Sequence, residues 1–272
     1  MIAPDDLTAM QAVASDRWRT HGPYVSQHVG DLAWGASGPG AEARTALLVD
    51  GGYAFRDGGD WWLGGSDDAQ RALVSYARDA GAAVWTLERE QAKVAALRAA
   101  GYRPSYDGFW HFAYDLTRDL PPFPSGVTSG AADPARRVAL HRAAWAPSAF
   151  TAEVYDAVRA TPPYRADLDV VVEGRAYALA WLDERSASGE LEPVGTDPAH
   201  RGRGYGARAC VAALHRLRAA GARTAVVYGA TDPANPGPAR LYASVGFVAV
   251  DRHVRYLPPT RQNAPGPGGT TP

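Results

Sequence analysis

Between residues 189 and 207 the chain reads Gly-Glu-Leu-Glu-Pro-Val-Gly-Thr-Asp-Pro-Ala-His-Arg-Gly-Arg-Gly-Tyr-Gly-Ala. Leu191 and Val194 mark a short apolar strand and Asp197-Pro198 a turn, after which Gly202, Gly204 and Gly206 alternate strictly with Arg201, Arg203 and Tyr205. From Ala207 to Ala220 the apolar positions Cys210, Val211, Leu214 and Leu217 recur at three- and four-residue spacing and Gly221 supplies a stop, which predicts a helix. A glycine-rich loop between a strand end and a helix start aims several backbone N–H groups and the positive end of the helix dipole at one spot. Glycine lets the backbone come close and the two arginines add charge, so a pyrophosphate is the occupant this stretch favours.

Spacing decides which pyrophosphate. A dinucleotide fingerprint needs Gly-x-Gly-x-x-Gly with an acid about 20 residues on, and a nucleotide P-loop needs Gly-Lys-Ser/Thr; neither is present. Arg201-x-x-Gly204-x-Gly206 resembles instead the acyl-CoA pyrophosphate loop of the GNAT superfamily of N-acetyltransferases. A second stretch, Asn235-Pro-Gly-Pro-Ala-Arg-Leu241-Tyr242-Ala-Ser-Val-Gly246-Phe247, is similar to the other signature of that superfamily. It departs at Pro238, where the family commonly has a small helix former.

The resemblance implies acetyl-CoA as donor, with Val194, Gly195, Thr196, Arg201, Gly202, Arg203, Gly204, Tyr205, Gly206 and Asn235 around it. It also implies that the strand carrying Val194 splays from its neighbour to admit pantetheine, with the Val194 N–H toward the thioester carbonyl. Pro193, which has no N–H, suits a kink there.

Acetyl transfer to an amine needs a base, a donor of hydrogen bonds to the developing oxyanion and an acid for the departing thiolate. Glu190 and Glu192 lie two residues apart on a strand, hence on the face of Val194, and either can be the base. Tyr242 is the acid candidate, since a phenol with a reference pKa of about 10 stays protonated while a thiolate of pKa about 8.5 departs. Trp145, Phe150, Tyr164 and Trp181 are candidates for the acceptor pocket. No histidine and carboxylate spacing suggests a metal.

A net charge of -1 over 272 residues gives no electrostatic argument for nucleic acid or membrane. The lone Cys210 sits among apolar helix positions and reads as a buried hydrophobe. The first residues have neither a basic region nor an apolar run, so a cytoplasmic protein is expected. The partner expected is a small-molecule amine, and oligomeric state is open.

In chain order, helical patterns over residues 7–19, 70–80 and 90–100 alternate with strand-like runs at 45–49, 53–56, 83–87 and 110–116, Asp50-Gly51-Gly52 marking a hairpin. Consecutive prolines make residues 119–126 a linker. Asp133-Pro134 and Thr151 start two helices, strands follow at 170–173 and 177–182, and 248–250 with 253–257 supply the last ones. The tail from Pro258 is expected to be disordered.

Setting Gly101-Tyr102 on Gly246-Phe247 and Gly81 on Gly221 aligns the two halves, with Trp61, Gly64 and Ser66 at the places of Arg201, Gly204 and Gly206. The first half therefore keeps the frame without the loop arginine and the tyrosine, and Asp67 and Asp68 would repel phosphates. The expected class is α/β, two tandem GNAT-like domains, each a mixed, mostly antiparallel twisted sheet flanked by helices. The expected boundaries are 1–118 for a degenerate copy, 119–126 for the linker, 127–258 for the catalytic copy and 259–272 for the tail. This order resembles mycothiol-synthase-like members of the superfamily. Other readings are an acyl-CoA-binding sensor without turnover and a protein N-acetyltransferase.

Overall fold

The computed structural model describes residues 2–231 and 236–260, apart from the side chains of residues 106 and 107. Asn235 and the tail beyond residue 260 lie outside that set. The first half runs α1 (Pro4–His21), α2 (Val29–Ser37), β1 (Arg44–Val49), β2 (Gly52–Asp57), β3 (Asp60–Gly65), α3 (Asp67–Asp79), β4 (Ala83–Leu87), α4 (Gln91–Ala99) and β5 (Arg103–Asp115). The second runs β6 (Val127–Ser129), α5 (Pro134–Ala144), α6 (Ala152–Ala160), β7 (Asp169–Val172), β8 (Ala176–Asp183), β9 (Ser188–Thr196), α7 (Tyr205–Ala219), β10 (Thr224–Ala230), α8 (Gly237–Val245) and β11 (Val248–Leu257).

Local chemistry accounts for several boundaries. Asp133 accepts the Arg136 N–H and Pro134 occupies the first turn of α5, while the Thr151 hydroxyl accepts the Val154 N–H to open α6. The Asp50-Gly51 turn joins β1 to β2, with Val49 paired to Gly52. On α7 the apolar stripe expected from spacing, Cys210, Val211, Leu214 and Leu217, is buried against β7, β8 and β9, and Cys210 is a free thiol that burial pushes up to about 12.

All eleven strands form one sheet in the order β1-β2-β3-β4-β11-β5-β10-β9-β8-β7-β6. Pairing is parallel at β3–β4 and β9–β10 and antiparallel elsewhere. The two halves are thus mixed, mostly antiparallel units, but each gives its last strand to the other. β11, from the end of the chain, pairs with β4, and β5, from the first half, pairs with β10 along Phe109–Asp115. Phe112, Tyr114 and Leu116 accordingly belong to the core of the second half, beside Tyr242 and Phe247.

Three stretches go beyond the periodicity reading or differ from it. Residues 29–37 are helix α2, opened by a cap in which His28 Nδ1 accepts the Gly30 N–H and the Asp31 carboxylate accepts the His28 N–H. β5 starts at Arg103 rather than near Trp110, because β11 pairs with Arg103–Ser105 and supplies a partner that overrides Pro104. Trp61–Ser66 is no loop: β3 runs to Gly65 and α3 starts at Asp67, Ser66 serving as its cap. In the first half, then, a single residue separates strand from helix where the second half has eight, Asp197 to Gly204.

Candidate active site

The second half opens where the resemblance requires. β9 pairs with β10 only over Ser188–Glu190, so Leu191–Thr196 has no strand partner on that edge. A bulge between Leu191 and Val194 marks the departure, with Pro193 in it. The bulge also corrects one expectation. Val194 does not share a face with Glu190 and Glu192: it packs with Leu191 into the core under α7, while both carboxylates point to the opposite side of the sheet. The extra residue shifts the alternation by one.

Beyond β9, Gly202 and Gly204 adopt left-handed φ of 72° and 79°, with nothing within 4 Å of where a Cβ would stand. The N-terminus of α7 therefore looks into open space lined by backbone. Gly206 packs tightly instead, a Cβ there lying 2.9 Å from Thr196 Oγ1. Arg201 donates to the Ala144 carbonyl at the end of α5, Arg203 is exposed, and the Tyr205 phenol is turned away to Arg175 and Glu173. Tyr205 thus offers the loop its N–H rather than its ring. In the first half the matching gap is closed, because the ammonium of Lys93 donates to the Leu63 carbonyl, Ser26 and Glu90.

On the carboxylate side a residue from the first half enters. Asp31, in the first turn of α2, lies with Glu190 and Glu192 so that one oxygen of each falls within 4.8 Å of the others. The Asp31 N–H donates to Glu190 Oε2 at 2.7 Å, and the Tyr228 hydroxyl donates to Asp31 Oδ2 at 3.0 Å. α2 can come this close because Gly30 has no side chain: a Cβ would stand 2.5 Å from Glu190 Oε2 and 2.8 Å from Trp181. Glu190 Oε1 and Glu192 Oε2 are buried with no hydrogen-bond partner. Burial first, then the charge of Asp31, pushes both glutamates well above the usual carboxylate range. Asp31 is raised by burial as well. Three carboxyls this close, one buried and two half-buried, hold protons or face a cation.

The stability consequence has a definite sign. For a glutamate whose unfolded pKa is about 4.3, a raised folded value means that the native state keeps a proton the unfolded chain has lost. Unfolding free energy then falls as pH rises from the unfolded value through the folded one. Glu190→Gln, neutral at every pH, should match the unmodified protein in Tm at pH 4 and exceed it at pH 8, by about 2–4 °C per kcal/mol relieved. Calorimetry at both values checks this, and a Tm difference independent of pH would refute it.

A cavity of about 380 Å³ joins these parts, lined by Trp34 and Pro39 from the first half, by Trp145 and Pro147, by Leu191–Val194, and by Tyr228 and Tyr242. Glu192 reaches it and Tyr242 forms part of its wall, whereas Glu190 is 0% exposed and sits behind. Burial raises the Tyr242 phenol, which keeps it protonated. Of the aromatic candidates only Trp145 lines the cavity. Phe150, Tyr164 and Trp181 are core residues: Phe150 stacks on His141, Tyr164 packs on Trp181, and the Trp181 N–H holds the Glu192 carbonyl at 2.7 Å. Sequence alternation cannot tell a wall from the layer behind it. Asp31, Trp34 and Tyr228 were missed because the elements bearing them meet only through α2; the one signal was an acid inside the apolar run Val29–Trp34.

Residues 137–247 match the Acetyltransferase (GNAT) family. A mycothiol acetyltransferase of Nocardiopsis dassonvillei is 40% identical over 88 residues, 32% of this chain and 26% of that protein. Another, from Nocardia farcinica, is 32% identical over 209 residues, 68% of each chain. The chain belongs to the GNAT acetyltransferase family. The tandem arrangement of this GNAT protein also has a solved counterpart, a tandem GNAT protein from the clavulanic acid biosynthesis pathway, with a TM-score of 0.54 at 15% identity over 83% of this chain and 85% of that one. That likeness speaks for the fold. Among the described residues no helix is long and apolar enough to cross a membrane.

Proposed function

We propose that this chain moves an acetyl group from acetyl-CoA to the primary amine of a small molecule, by direct attack, in its second half. The carrying observation is that Glu192 and Tyr242 line one cavity at the splayed end of β9, the strand that leads into the glycine loop. The N–H groups at the start of α7, with Gly202, Gly204, Arg201 and Arg203, would hold the pyrophosphate, and the free edge of Leu191–Thr196 would receive the pantetheine. The closed first half would take no donor.

Glu192 is then the base that accepts a proton from the incoming ammonium, with Glu190 and Asp31 behind it. Their mutual repulsion and burial raise its pKa toward the operating pH, where a base is most effective. Tyr242 protonates the departing sulfur.

The walls narrow the acceptor. No arginine or lysine lines the cavity among the described residues, and His141 is held down to about 3 by burial and by Arg137, so it is neutral. An acceptor carrying a carboxylate or phosphate would find no partner there. Trp34, Pro39, Trp145 and Pro147 offer apolar contact and the carboxylates offer attraction for a cation, which suits an amine on an uncharged, largely apolar body. The test is acetyl-CoA consumption over a panel of arylalkylamines, amino acids, amino sugars and N-terminal peptides, with product masses recorded. Arylalkylamines should lead by kcat/KM. Preference for amino acids or peptides would overturn the acceptor class, and no thiol release with any amine would overturn the activity.

A further inference from the structure

Acetylation of an ammonium releases one proton per turnover. The N–C bond forms and the C–S bond breaks. Of the three ammonium protons one stays on the amide, one ends on the thiol of CoA, and one is left on the carboxylates. Glu190, behind the cavity wall, is fully buried, so a proton that reaches it sits among buried groups.

Behind Glu190 lies a row of groups that can pass it on, hydrogen-bonded from His28 onward; the first step, from Glu190 to His28 Nδ1, needs the imidazole to let go of the Gly30 N–H. Glu190 Oε2 is 3.3 Å from His28 Nδ1. The Gly30 N–H donates to that same Nδ1 at 3.1 Å, which places the imidazole proton on Nε2. Nε2 meets Ser188 Oγ at 2.9 Å, Ser188 Oγ meets Ser186 Oγ at 2.6 Å, and Ser186 Oγ donates to Asp183 Oδ2 at 2.5 Å. His28 is 0% exposed and Ser188 2%, whereas Ser186 is half-buried in the turn between β8 and β9, next to the exposed Glu184 and Arg185. With the imidazole proton on Nε2, Ser188 accepts from His28 and its own proton is left for Ser186, which donates to Asp183. We infer that His28, Ser188 and Ser186 form a relay that carries the proton taken from the substrate amine from Glu190 to Asp183, a buried carboxyl (6% exposed) at the end of β8 beside the half-buried Ser186 and the exposed Glu184, at the end of the sheet remote from the cavity.

Ser186 also closes the β8–β9 turn through Asp183, but Ser188 has no other evident duty. Ser188 caps no helix, and its backbone already pairs with Asp183 and Thr224. Burial lowers His28 to about 4, so it rests neutral, as a relay must. The titratable groups facing it are Asp31 on its own helix, Glu190 on β9, Asp183 on β8 and His111 on β5, the last held neutral by burial.

The inference rests on the amine-acetylation reading, and its test separates the two. With acetyl-CoA and 2-phenylethylamine, Ser188→Ala should lower kcat by about tenfold and enlarge the solvent deuterium effect on kcat, while kcat/KM for acetyl-CoA is unchanged, since proton exit follows the chemistry. Ser188→Thr, which keeps the hydroxyl, should restore kcat. In the unmodified protein, nitrogen NMR of the imidazoles should show His28 as the Nε2–H tautomer. Wild-type kcat in Ser188→Ala, an equal loss of kcat and kcat/KM that Ser188→Thr does not rescue, or an Nδ1–H tautomer at His28 would each overturn the relay alone. Absence of acetylation by the unmodified enzyme with every amine tried would overturn the activity, and the relay with it.

Discussion

Glu192→Gln and Tyr242→Phe are each expected to lower kcat by roughly 10²-fold or more while leaving the Kd for acetyl-CoA nearly unchanged, the usual range for a lost general base or acid. Both side chains line the cavity, and the glycine loop is not part of its wall. The pH dependence follows from the carboxyl cluster. Because burial and Asp31 hold the Glu192 carboxyl well above its ordinary range, kcat/KM should rise with pH along a limb that lies above about 4.3. Asp31→Asn removes a like charge, so Glu192 ionises more easily and that limb moves to lower pH. Glu190 and Tyr228 remain around it, and Arg44 is the nearby cation that opposes the upward shift. Rate profiles of the three variants, with acetyl-CoA binding followed by calorimetry, check this. Near-normal turnover in Glu192→Gln would show that the amine is deprotonated elsewhere, and a limb that stays put in Asp31→Asn would detach Asp31 from the base.

A fragment beginning at residue 119 should fail to fold cooperatively. It retains both signature stretches and α5 to α8, yet it lacks β5 and β4, so β11 loses the strands on both its sides and β10 loses one of two. Phe112, Tyr114 and Leu116 leave the core with β5. At about 1.5–3 kcal/mol for burying each side chain of that size, the loss is comparable with the whole stability of an ordinary domain, about 5–15 kcal/mol. Exposed strand edges and the uncovered apolar face would favour aggregation. Adding residues 1–118 as a separate chain should recover solubility and acetyl-CoA binding. The measurement is thermal unfolding by circular dichroism; a fragment that melts cooperatively and binds acetyl-CoA on its own would show that the exchanged strands are dispensable.

The glycine alternation around Gly204, the helix stripe from Cys210 to Leu217 and the pairing of Glu190 with Glu192 on one strand face could all be read along the chain. Each rests on spacing within a single strand, loop or helix, and local backbone geometry translates spacing directly into direction. The glycine loop ahead of α7 and the position of Tyr242 on its helix were legible for that reason.

What sequence could not determine was everything decided by where elements meet. One inserted residue at the Pro193 bulge turned Val194 to the opposite face from Glu192. The exchange of β5 and β11 between halves depends on pairing between strands more than 100 residues apart, and either half has a plausible strand to offer. Asp31 reaches Glu190 only because Gly30 lets α2 press against β8 and β9, a contact across 159 residues that no local pattern announces. Phe150, Tyr164 and Trp181 are apolar enough for a pocket and for a core alike, and only packing placed them behind the wall. Periodicity sets the face a side chain points to; tertiary contact alone sets what stands on the other side.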